Sequence, residues 1–176
     1  MESGAFDAPM FSLREGCGDK PEAARLNCRR AEILFHEGRR EDAVECGRRA
    51  FFLASDDEAV VHCCAWLFSN CGLHAEAAEA YKRLLDQLPD WVEGYRHLSG
   101  SLAASGDRDA AIVNAVRASE LAPNNFDFAL HAGCLLLDAE RIEEATFYLA
   151  RATDRAGQSA RVAGVVEHQI CARSGR

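Results

Sequence analysis

The stretch Gly72–Pro123, GLHAEAAEAYKRLLDQLPDWVEGYRHLSGSLAASGDRDAAIVNAVRASELAP, decides the fold, because it repeats one spacing. Gly72 and Gly106 lie 34 residues apart, and so do Ala77 and Ala111, Leu88 and Ala122, and Pro89 and Pro123. Carried outward, the same spacing lands on Gly38 and Ala43 upstream and on Ala145 downstream, with Gly157 where a further proline is expected. A fixed period of roughly 20–50 residues marks an architecture of stacked units, each too small to bury its own apolar face.

Within the units the periodicity is helical. Val61, Cys64, Ala65 and Phe68 fall at i, i+3, i+4 and i+7, one face of a helix. Pro21 followed by Glu22 suits a first helical turn, and Asp56-Asp57-Glu58 sets negative charge at the amino end of another. The pattern predicts helix pairs over about 22–37 and 41–54, 58–71 and 75–88, 92–105 and 109–121, and 126–139 and 143–156. A last helix is expected over about 159–172, and no period-two strand pattern appears. Residues 1–20 mix Gly4, Pro9, Gly16 and Gly18 with Phe6, Phe11 and Leu13, so they read as a loose arm offering a homodimer contact.

These residues resemble the tetratricopeptide repeat, whose unit reads W-x2-L-G-x2-Y, then A-x3-F, then P. The third unit supplies Tyr95, Leu98, Ser99, Leu102, Ala111, Ala115 and Pro123, and the second supplies Val61, Cys64, Ala65, Phe68, Ala77, Tyr81 and Pro89. The fourth has Ala129, Ala132, Gly133, Leu136, Ala145 and Leu149. The first is weakest, with Asn27, Arg30, Ala31, Leu34, Ala43, Gly47 and Ser55. The resemblance implies an all-α, right-handed α–α superhelix with four helix-turn-helix repeats (24–57, 58–91, 92–125 and 126–159) and a C-terminal capping helix and tail over 158–176. Small residues should face each other where paired helices cross: Ala31 and Ala43, Ala65 and Ala77, Ser99 and Ala111, Gly133 and Ala145.

Such solenoids present a concave groove to peptides or partner helices. Matching the family's groove positions unit by unit gives Phe35, His62, Trp66, Asn70, Arg96, His97, Leu130, His131, Cys134 and Leu137 as the expected partner-binding residues. Trp66 lies off the core face of its helix, and a large aromatic in a groove is a common binding anchor. Family members that grip acidic chaperone C-termini use a clamp of Lys, Asn, Asn, Lys and Arg. The matching positions here are Cys28, Glu32, Cys63, Glu93 and His97, so a carboxylate would meet acids, and an apolar or basic-tinged peptide is favoured.

The net charge of −8 argues against nucleic acid or an anionic membrane as partner. No apolar run approaches the ~18 residues of a membrane span, and the start lacks the pattern of a secretory signal. Eight cysteines without such a signal read as reduced thiols in a cytoplasm. His62, His97 and His131 recur once per unit, but equivalent atoms of neighbouring packed helices lie about 10 Å apart. Metal ligands must converge within ~2.0–2.3 Å of one ion, so a ladder is not a metal site. No GxSxG, HExxH or phosphate-loop pattern is present. The expectation is a non-catalytic interaction module with no cofactor. A cytoplasmic chaperone of a type III secretion translocator is the alternative, because Phe128–Ala145 looks like the last repeat of such chaperones. An enzyme is the third reading, to be recognised by an activity lost with His97 or His131 but not with Trp66.

Overall fold

In the computed structural model the chain forms a row of helices joined by tight turns, and residues 20–54 and 56–153 are described. The elements are α1 (Lys20–His36), α2 (Arg40–Leu53), α3 (Glu58–Asn70), α4 (His74–Gln87), α5 (Val92–Ser105), α6 (Arg108–Leu121), α7 (Phe126–Asp138) and α8 (Ile142–Thr153). Helix α1 opens one residue ahead of Pro21 and includes Lys20. The amino-terminal arm before it, Ser55, Gly157 and the expected final helix lie outside the described residues.

Each odd helix packs on the even helix that follows it, and each even helix packs on the next odd one. The turn inside every unit is the same device. Gly38, Gly72 and Gly106 adopt φ of +80°, +78° and +98°, a left-handed conformation in which glycine has no Cβ to clash. One residue on, the N–H of Arg39, Leu73 and Asp107 reaches back to the carbonyl of Leu34, Phe68 and Leu102, each at 2.9 Å. With the glycine N–H groups donating to Phe35, Ser69 and Ala103 O at 3.0, 3.2 and 3.2 Å, this double bonding satisfies carbonyls that a helix end leaves without partners.

The fourth unit builds the same turn without glycine. Arg141 N–H donates to Leu136 O at 2.9 Å, and Glu140 holds φ of +61°. An L-residue there costs about 1–2 kcal/mol, part of which glycine would give back through its greater freedom in the unfolded chain. Glu140→Gly should therefore raise the unfolding free energy by about 0.5–1 kcal/mol, read by urea titration. A lower midpoint in the variant would show that Glu140 makes a contact worth more than its strain.

The helix crossings follow the expected pairing of small residues. Ala31, Ala43, Ala65, Ala77, Ser99, Ala111 and Ala145 are all fully buried. Ser99 Oγ donates to Ala111 O at 2.8 Å, which places the α5–α6 crossing directly. A Cβ on Gly133 would stand 2.7 Å from both Cγ and Cδ2 of Leu149, so only glycine admits α8 this closely. Between units the larger Leu34, Phe68, Leu102 and Leu136 are buried and fill the space. Their burial drives the stacking at roughly 25 cal/mol per Å² of apolar surface removed from water.

Candidate functional site: an inner cleft with aromatic walls

The odd helices form one inner layer. Cys28 Sγ of α1 donates to Val60 O of α3 at 3.9 Å, and Cys63 Sγ to Glu32 Oε1 at 3.6 Å. Ser69 of α3 meets Ser101 of α5 at 3.4 Å, and Ser99 of α5 meets His131 of α7 at 3.2 Å. Each contact joins positions about one repeat apart, so a side chain on this layer has its counterpart in the next unit beside it.

A cleft of about 890 Å³ opens on the layer, lined by Glu32, Asp57, Glu58, Ala59, His62, Cys63, Trp66, Leu84, Leu88 and Trp91. Trp66 is 37% exposed and rests edge-on against Phe35, with ring centroids 5.2 Å apart. Asn70 supports its helix turn by donating to Trp66 O at 2.8 Å. Trp91 lines the same cleft, and its ring lies 5.5 Å from His62 and 6.4 Å from both Tyr81 and His97. His97 in turn stacks on Tyr81 at 5.3 Å.

Trp91 was not expected in the groove, and the repeat explains how it gets there. It occupies the N-cap position that Asp57 and Asn125 hold in the neighbouring units. Those two residues accept helix N–H groups; Trp91 forms no such cap. Three residues on, where the other units bury Val60 and Phe128, this unit has Gly94. A Cβ on Gly94 would come within 2.3 Å of the Trp91 ring. The indole thus takes the room that a side chain would fill and turns one edge toward the cleft. An aromatic at a capping position followed by glycine is the signal that would have found it.

The other expected groove residues divide. His62 is exposed, Arg96 pairs with Glu93 at 2.9 Å, and His97, Leu130, His131 and Cys134 are half-buried. Leu137 departs from expectation: it is only 8% exposed and packs with Ile112, Leu136 and Leu149 in the core. The α6 and α8 side chains around it, Ile112 and Leu149 among them, cover a leucine at this position.

His131 is committed within the chain. The hydroxyl hydrogen of Ser99 goes to Ala111, so Ser99 Oγ accepts from His131 Nε2–H. Burial, with Arg96 nearby, holds His131 below the ordinary histidine value, and burial then Arg96 do the same for His97 against a smaller opposing pull from Glu93. The unfolded chain therefore takes up these protons near pH 6.5, and the folded chain only at lower pH. Their contribution to stability is complete above about pH 6.5 and declines as pH falls through that value toward the folded pKa. In the pair His97→Gln/His131→Gln the fall in melting temperature between about pH 7 and pH 5 should be smaller than in wild type. Equal falls in both proteins would remove these histidines as its source.

Cys63 of the cleft and the buried Cys28 behind it are poor nucleophiles. The Cys28 thiol, hydrogen-bonded with Cys63 in the sense that lowers its pKa, is nonetheless pushed up to about 12 by its bond with Cys64 and by burial. Cys63 is raised by its bond with Cys28, by burial and by Glu32. Both are thiols, not thiolates, near neutral pH. Burial would raise the Asp57 carboxyl, but Arg25 at 2.9 Å and the N–H groups of Val60 and Ala59 outweigh it and hold it below the usual carboxylate range. Among the described residues no group of three or more His, Cys, Asp or Glu is arranged to hold a metal ion, and no helix is long and apolar enough to cross a membrane.

Solved structures with the same arrangement include MamA, at 16% identity and a TM-score of 0.65 over 80% of this chain and 82% of that one. MamA from Desulfovibrio magneticus RS-1 aligns at 12% identity and a TM-score of 0.64 over 74% of each chain. YrrB, described as a TPR protein with an unusual peptide-binding site, aligns at 18% identity and a TM-score of 0.65 over 88% of this chain and 80% of that one. The fold is that of the tetratricopeptide repeat. No family model matches the sequence, and no curated protein matches it. The TPR consensus is blurred here by substitutions such as Trp91 at a cap, Gly94 in a core position and Glu140 in a glycine turn, while the crossings that make the fold are kept.

A second cavity, of about 690 Å³, lies between α2 and α4 of this TPR array and is lined by Arg48, Phe51, Phe52, Phe68, Ala75, Glu76, Glu79 and Arg83. Its charges are already matched, Arg48 to Glu76 at 2.7 Å, with Arg83 over the Phe51 ring at 4.6 Å. The inner cleft, by contrast, leaves polar and aromatic surface open.

Proposed function

We propose that this chain is a non-catalytic protein–protein interaction module of the cytoplasm that holds a peptide or partner helix along its inner helix layer. The observation that carries the reading is Trp66: an indole exposed in a cleft and braced edge-on by Phe35, where a merely structural tryptophan would be covered. The peptide-binding site named for YrrB, on a similar array, supports it by analogy of fold. A binding role without catalysis accords with protonated thiols and with a His131 already engaged by Ser99. The six cysteines among the described residues, Cys28, Cys46, Cys63, Cys64, Cys71 and Cys134, are free, which suits a reducing compartment. The negative charge favours a protein partner over nucleic acid. Phe128–Ala145, the stretch similar to secretion chaperones, forms α7 and the start of α8 on the same plan as the other units, so it speaks for the repeat and not for a particular client.

Affinity purification from the source cell's lysate, with wild type and Trp66→Arg side by side, tests the proposal. The variant should keep its helical circular dichroism and a melting temperature within a few degrees of wild type, because arginine at a partly exposed site loses little burial. Proteins retained by wild type should be lost. Identical sets of captured proteins would rule out the cleft as the binding surface, and an unfolded variant would show that Trp66 belongs to the core.

A further inference from the structure

The cleft has a chemistry that narrows its occupant, on the footing of the groove-binding role above. Its walls carry both tryptophans of the chain, Trp66 and Trp91, with His62 beside Trp91 at 5.5 Å. Its acids are Glu32, Asp57 and Glu58, and no lysine or arginine lines it. Asp57 is satisfied by Arg25 and by the N–H groups it caps. Among the described residues Glu32 meets the weak Cys63 thiol donor at 3.6 Å and makes no ion pair, and neither does Glu58.

We propose that this cleft is an arginine pocket, which takes the guanidinium of an arginine in an extended segment of the partner between the indoles and the carboxylates of Glu32 and Glu58. A guanidinium is planar, stacks on an aromatic face, and gives up its water more readily than an ammonium, so it can meet an indole and a carboxylate together. An acidic group would be repelled. An apolar side chain would strip water from Glu32 and Glu58 and return no hydrogen bond. The amino end of α3 opposes a cation with about half an elementary charge; with Asp57 already matched by Arg25, the full charge of Glu58 outweighs it. Arg25 already shows the chemistry at the edge of the site, its Nε and Nη2 both donating to Asp57 Oδ2 at 3.2 and 2.9 Å.

The test uses the full chain and a random dodecapeptide phage library, followed by synthesis of the best peptides. Because both tryptophans line the cleft, intrinsic fluorescence reports occupancy without a label. Selected peptides should share an arginine, and replacing it by the uncharged isostere citrulline should weaken binding tenfold or more. Glu32→Gln/Glu58→Gln should weaken the arginine peptide by a similar factor and leave the citrulline peptide unchanged, with circular dichroism confirming the fold. If selected peptides depend on Trp66 yet lack arginine, or bind equally with citrulline, the arginine pocket is wrong and the groove reading stands. If no selected peptide responds to Trp66→Arg, both fall.

Discussion

Phe68→Ala is expected to lower the unfolding free energy by about 3–5 kcal/mol, the range for truncating a buried phenylalanine. Phe68 is 2% exposed and stands edge-on to Phe51, with centroids 6.3 Å apart. Its ring also lies beneath Gly47, where an added Cβ would come within 3.3 Å of it. Residues of α2 thus close on a ring carried by α3, so its removal leaves a gap between the first two units. The loss includes both the transfer free energy of the ring and the unfilled cavity. In a row of units that touch only their neighbours, it should appear first as opening of the first two repeats. Trp66 lies within that region and Trp91 at its end, so fluorescence should report unfolding at lower urea than circular dichroism does. A loss below about 1 kcal/mol would mean that Phe68 is not the wedge between units.

Ala111→Leu tests the opposite error, too much volume. Ala111 is fully buried, and its carbonyl accepts the Ser99 hydroxyl at 2.8 Å. Two helix backbones held that close leave no room for an isobutyl group, so α5 and α6 must separate. Overpacking of this kind typically costs about 1–3 kcal/mol. Separation would also stretch the bonds that run from Ala111 through Ser99 to His131. The variant should therefore unfold at lower temperature and loosen the α5–α7 contact together, the second read from the His131 ring resonances. A melting temperature equal to that of wild type would contradict the register of the repeat.

Much of the architecture was legible because its causes are local or periodic. Gly38, Gly72 and Gly106 mark left-handed turns by residue type alone, and Ala65, Ala77 and Ala111 mark crossings because only small residues fit there. Trp66 could be placed on the inner layer from its offset to the core stripe of α3. Glu140 escaped notice because it enters the glycine conformation without being glycine. Leu137 falls at a groove position by its place in the repeat, but its burial depends on neighbours such as Ile112 and Leu149, which no spacing within α7 reveals.

The sequence by itself therefore determined the all-helical plan, the unit length and the small-residue crossings, since these depend on spacing, backbone sterics and burial within a single unit. Only the tertiary structure decided the cleft. Trp91 reaches it by occupying space that Gly94 leaves at the start of α5, and it lines the cleft together with Trp66 of α3 and Glu32 of α1. Whether such side chains share a wall depends on the distance and angle between stacked units, and those are set by the summed packing of many residues, not by any one spacing along the chain.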